Sequence, residues 1–142
     1  MEVKIRPAEK DDAPSLAGLM TELGYPTTPE EMARRLDSIL RHPDYHTLLA
    51  EVPGGIAGMA GLQVSPSYER NRRVGRITAL SVTERLRGEG IGRRLLEEAE
   101  AWFRRRGAER IVVTSALHRV EAHRFYAGLG YEKNGVRLAK SL

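Results

Sequence analysis

One stretch constrains the fold of this chain more than any other. A short apolar run, Ile77-Thr78-Ala79-Leu80-Ser81-Val82, leads into Arg85-Leu86-Arg87-Gly88-Glu89-Gly90-Ile91-Gly92-Arg93-Arg94-Leu95-Leu96. The spacing predicts a strand, a glycine turn and a helix N-terminus in that order. Glycine at 88, 90 and 92 strips side chains from the turn, so bare backbone N–H groups can approach a ligand closely. The unpaired N–H groups and the positive dipole end of the following helix favour an anion there. The pattern is a phosphate cradle.

Two common phosphate motifs do not account for it. No Gly-x-x-x-x-Gly-Lys-Ser/Thr string occurs, which excludes a Walker loop. A dinucleotide fingerprint needs Gly-x-Gly-x-x-Gly near a first strand, whereas Arg93 stands where the third glycine would fall and the motif lies past mid-chain.

With 142 residues, 41% hydrophobic and 30% charged, the chain is expected to form one domain over residues 1–142 with a proper core. No apolar stretch approaches the roughly 20 residues needed to span a bilayer. The start, Met1 to Pro7, lacks the apolar core of a secretion signal. The absence of cysteine excludes disulfides, thiolate metal sites and a cysteine nucleophile. A cytoplasmic, membrane-free protein is the expectation. The net charge of +4 is unevenly spread: residues 1–71 carry 7 Lys/Arg against 11 Asp/Glu, a net of −4, and residues 72–142 carry 16 against 8, a net of +8. Such an asymmetry suits a basic half that handles a polyanion and an acidic half that meets something cationic.

Along the chain, Glu2 to Arg6 alternates like a strand ended by Pro7. Asp11 or Asp12 is a candidate cap for a helix to about Leu23, striped by Leu16, Leu19, Met20 and Leu23. Thr28, Pro29 and Glu31 form a capping box for a second helix reaching about Leu40. Tyr45–Val52 and Ile56–Val64 read as a hairpin across Pro53-Gly54-Gly55, and Arg73–Val82 as the long strand feeding the glycine turn. A helix from about Gly90 to Arg106 follows, ending in the cations Arg104-Arg105-Arg106. A strand at Ile111–Thr114, a helix at Val120–Leu129 and a pair of short strands within Tyr131–Leu142 complete the order. The predicted fold class is α/β, β-α-α-β-β-β-α-β-α-β-β around a mixed sheet covered by helices.

Two blocks carry a resemblance. Arg87-Gly88-Glu89-Gly90-Ile91-Gly92 matches Gln/Arg-x-x-Gly-x-Gly/Ala, and Ala122-His123-Arg124-Phe125-Tyr126-Ala127-Gly128-Leu129-Gly130-Tyr131 is similar to Ala-x-x-Phe-Tyr-x-x-x-Gly-Phe/Tyr. Together they resemble the GNAT superfamily of acyl-CoA-dependent N-acetyltransferases, and the element order agrees with that fold. The resemblance implies acetyl-CoA as co-substrate, with no metal. It puts the CoA pyrophosphate on the N–H groups of Gly88, Glu89, Gly90, Ile91, Gly92 and Arg93, with charge from Arg93 and Arg87. Leu80, Ser81 and Val82 would be the strand that pairs with the pantetheine arm, and the N–H of Leu80 or Val82 would polarise the thioester carbonyl.

Tyr126 is implied as the acid that protonates the departing thiolate. Arg119 stands where the family often has asparagine, and Thr114 where several members carry a glutamate base. Glu84 and His118 are therefore the base candidates, from their positions at the ends of two central strands. His42, His46 and His123 show no metal-ligand spacing. In this fold, specificity usually comes from the segments that are here Gly24–Pro29 and Glu132–Arg137. The acidic N-terminal half favours a small cationic or peptide amine acceptor. The rival readings are a catalytically silent acyl-CoA-binding or regulatory module and, third, a basic nucleic-acid-binding domain; a homodimer is compatible with the first two.

Overall fold

The computed structural model describes residues 1–114 and 120–142. Its strands and helices are β1 (Lys4–Pro7), α1 (Ala13–Leu23), α2 (Pro29–Arg41), β2 (Tyr45–Val52), β3 (Gly55–Ser65), β4 (Arg73–Val82), α3 (Ile91–Arg105), β5 (Ala108–Val113) and α4 (Val120–Gly128). They build a mixed five-stranded sheet in the order β1-β2-β3-β4-β5, in which the first four strands run antiparallel to their neighbours. The α3 crossover supplies the long connection that lets β5 lie beside β4. The fold class is the predicted α/β arrangement.

Residues 1–112 form one compact unit. Period-2 alternation distributes its helices over both faces of the sheet. Met59 and Leu49 pack with Leu16, Leu19, Met32 and Leu36 of α1 and α2. The adjacent Gly58 faces the other way, where a Cβ would stand 3.1 Å from Leu95 and 3.4 Å from Ile91 of α3. Leu16, Leu49, Leu62, Ile91, Leu95, Leu96 and Phe103 are all fully buried. The capping box of α2 forms as predicted: the Glu31 N–H donates to Thr28 Oγ1 at 3.1 Å and the Thr28 N–H to Glu31 Oε1 at 2.9 Å.

The expected side-chain cap on α1 does not form. Asp12 stands at the cap position, but its carboxylate accepts two bonds from the Arg6 guanidinium, both at 2.9 Å, and one from the Glu9 N–H at 2.7 Å. A bidentate, charge-assisted pair outcompetes a neutral N–H at the helix end.

Residues 113–142 form the second unit, built on α4. The predicted final pair of strands is absent: 131–142 has no regular structure, and Val136, Leu138 and Leu142 are exposed. A hairpin this short needs a partner sheet or a buried face to be stable, and these side chains bury neither.

Candidate active site

The exit of β4 organises the site. The Thr83 N–H donates to the Ala57 carbonyl on β3 at 2.8 Å. Strand alternation therefore points the Ser81 N–H toward β3 and the N–H groups of Leu80 and Val82 to the opposite edge. The Ser81 side chain is buried and its hydroxyl donates to the Leu19 carbonyl at 3.1 Å, fastening β4 to α1. Upstream, Gly61 pairs with Ala79 and Leu62 with Ile77, which leaves Thr78 bulged out of the ladder. Such a bulge bends a strand and re-aims its end. A Cβ on Gly61 would lie only 2.9 Å from Thr78 Oγ1, so glycine there is what gives the bulge room.

Beyond β4 a short 3-10 turn, Glu84–Leu86, leads into the glycines. Gly88 and Gly90 both have φ of +83°, the left-handed region that glycine enters without steric cost. Gly90 is the N-cap of α3 and offers no side-chain acceptor, and the first bond of the helix runs from the Arg94 N–H to the Gly90 carbonyl at 3.1 Å. Among the described residues, the N–H groups from Gly88 to Arg93 thus have no acceptor. Nothing lies within 4 Å of where a Cβ on Gly88 or Gly90 would be. Packing does not demand glycine at either position; the backbone conformation does, and it leaves a run of polar N–H groups open. A phosphate or pyrophosphate matches that donor set.

The arginines divide their roles. Arg93 is exposed and makes no ion pair among the described residues. Arg87 bends back, its Nε donating to the Val82 carbonyl at 3.0 Å, and so braces the turn. Arg94 reaches away to the Val3 carbonyl at 2.6 Å. The Glu84 side chain is exposed, while its N–H donates to Glu22 Oε1 at 3.0 Å. The cofactor residues read from the sequence, Leu80 to Val82 and Arg87 to Arg93, are therefore consecutive parts of one strand end and turn. Glu22 and the Thr78 bulge were not legible: neither belongs to a local pattern, and both depend on which strands and helices meet.

In the second unit, Tyr126 is half-buried on α4. Its ring meets Phe125 at 5.4 Å and Tyr131 at 5.6 Å between centroids, both edge-on. The Tyr126 carbonyl accepts from the N–H groups of Leu129 and Tyr131, each at 3.0 Å, as Gly130 at φ +91° closes the helix. His118 and Arg119 lie outside the described residues.

The chain matches the model of the acetyltransferase (GNAT) family over residues 13–131. It is 31% identical to the aminoalkylphosphonate N-acetyltransferase of Salmonella typhimurium, covering 98% of this chain and 91% of that protein. A GNAT family acetyltransferase of Staphylococcus aureus superimposes with a TM-score of 0.84 at 29% identity over the whole of both chains. The aminoglycoside N-acetyltransferase AAC(6')-Iy, solved in complex with CoA, shares the fold with a TM-score of 0.87 at 15% identity, over 99% of this chain and 95% of that one. The chain belongs to the GNAT family and is an acyl-CoA-dependent N-acetyltransferase.

Proposed function

We propose that the chain transfers the acetyl group of acetyl-CoA to the primary amine of a small cationic molecule or peptide by direct attack. The observation that carries this reading is the run of open N–H groups from Gly88 to Arg93, set directly after a strand whose Leu80 and Val82 N–H groups point away from β3. The first set suits the pyrophosphate, with Arg93 adding charge. The second suits the pantetheine amides and the thioester carbonyl. In the reaction the amine nitrogen bonds to the acetyl carbon and the carbon–sulfur bond breaks. Glu84 or His118, directly or through water, takes the ammonium proton, and the Tyr126 hydroxyl gives one to the departing thiolate. Arg119 is assigned to the cofactor side on the family resemblance.

The acceptor follows from charge and kinship. The acidic N-terminal half favours a cationic amine; the Salmonella relative is named for aminoalkylphosphonates, whose amine stands beside an anionic phosphonate, so kinship supports an amine acceptor and charge alone supports a cationic one. The test is a panel of an aminoalkylphosphonate, an aminoglycoside, a polyamine and a basic peptide, read by release of free thiol from acetyl-CoA. Turnover of at least one amine supports the reading. Binding of acetyl-CoA with no turnover of any amine would instead favour the silent acyl-CoA-binding module.

A further inference from the structure

We propose that Glu22 is a positioning residue that ties the acceptor-side loop to the acetyl-CoA cradle; this rests on the reading just given. Its carboxylate accepts from Thr83 Oγ1 at 3.1 and 3.3 Å and from the Glu84 N–H at 3.0 Å, bridging more than sixty residues of sequence. Helix chemistry does not account for an acid here. Glu22 lies in the last turn of α1, where the negative end of the dipole disfavours a carboxylate. What it satisfies lies elsewhere. Thr83 is the N-cap of the 3-10 turn Glu84–Leu86, yet its hydroxyl caps nothing there. It donates instead to Glu22, which takes over the capping role from across the fold by accepting the first N–H of the turn.

That turn carries the chain from β4 to Gly88, and Arg87 braces it from the far side through the Val82 carbonyl. It closes through the Leu86 N–H to the Thr83 carbonyl at 3.0 Å and the Arg87 N–H to the Glu84 carbonyl at 3.2 Å. Fixing Thr83 and Glu84 therefore fixes where the glycine cradle begins. On the other side, Thr21 is the immediate neighbour of Glu22. Thr21 Oγ1 accepts from the Thr27 N–H at 3.1 Å and donates to the Ala17 carbonyl at 2.9 Å, holding the loop between α1 and α2. One helical turn thus grips, on adjacent residues, the loop assigned to acceptor choice and the strand exit assigned to the donor.

The experiment compares CoA binding by calorimetry and amide exchange at Glu84 and residues 87–90 in the unmodified chain and in Glu22→Ala, Glu22→Gln and Thr83→Val. Glu22→Ala is expected to weaken CoA about tenfold and to speed exchange at Glu84, with the melting temperature within about 3 °C of the parent, because an exposed side chain contributes little to global stability. Glu22→Gln keeps an acceptor oxygen and should recover CoA affinity to within about threefold. Thr83→Val removes one bond of the clamp at nearly constant shape and should weaken CoA about threefold, which keeps the test decisive if Glu22→Ala misfolds. CoA affinity within twofold of the parent in both Glu22→Ala and Thr83→Val would overturn the clamp while leaving the acetyltransferase reading intact. A Glu22→Gln variant as weak as Glu22→Ala would overturn it too, since the need would then be for charge. No CoA binding by the unmodified chain would overturn both.

Discussion

Gly90 joins two requirements in one residue: it caps α3 and holds a left-handed φ of +83°. An L side chain in that conformation costs about 1–2 kcal/mol, and relaxing it would swing the neighbouring N–H groups out of line. Gly90→Val should therefore weaken acetyl-CoA binding by at least tenfold in a calorimetric titration, with helical content retained by circular dichroism. Tyr126→Phe removes the hydroxyl proposed as the acid and leaves the edge-on aromatic packing in place. It is expected to lower kcat about 100-fold with KM for acetyl-CoA within twofold, read by thiol release. The glycine turn was legible because its chemistry is local: spacing alone shows which positions lack side chains, whereas the role proposed for Tyr126 came from the family resemblance. Glu22 was not legible, since an exposed acid near a helix end looks like any solvated surface charge until the fold brings Thr83 and Glu84 to it.

At the scale of elements, the helices and strands before the family's second block were nearly all readable. β2 and β4 have the bounds their patterns predict, and the box at Thr28 and Glu31 starts α2. These elements carry their own start and stop signals. The bulge at Thr78 and the missing strands after Tyr131 were not readable, because pairing partners decide both. The packing of α3 on the sheet explains Gly75 of β4, where a Cβ would run into the ring of the fully buried Phe103. Gly75→Ala is expected to destabilise the fold by about 1–3 kcal/mol in urea unfolding, since overpacking forces ring and strand apart. The C-terminal end of α3 carries a titratable stack: His46 lies on Trp102 at 5.2 Å, nearly parallel, and the Arg106 guanidinium stands 5.2 Å from the same ring. Burial, then Arg105 and Arg106, hold the His46 imidazole below the ordinary histidine range, against a smaller opposing pull from Glu98. The unfolded chain then binds this proton more readily than the folded one. The His46 contribution is steady above about pH 6.5, falls as the pH drops below that, and levels off under the folded value. His46→Phe keeps the stack and should flatten this part of the stability profile between pH 7 and 5.

For the whole molecule, the charge asymmetry between residues 1–71 and 72–142 separates the leading account from a nucleic-acid-binding one. Polynucleotide binding would show a steep salt dependence indifferent to CoA. A cradle for one pyrophosphate holds a single ligand and releases few counterions. Bound to the folded chain alone, acetyl-CoA at 100 times its Kd stabilises by about 2.7 kcal/mol. In a protein of this size that raises the melting temperature by about 5–10 °C. Calorimetric titration of the purified chain with acetyl-CoA measures whether Gly88 to Arg93 holds the acetyl donor. Saturable binding at one site per chain, weakened at least tenfold in Gly90→Val, is the expected result. An absence of binding heat at saturating acetyl-CoA, or equal affinity in the two proteins, would contradict it.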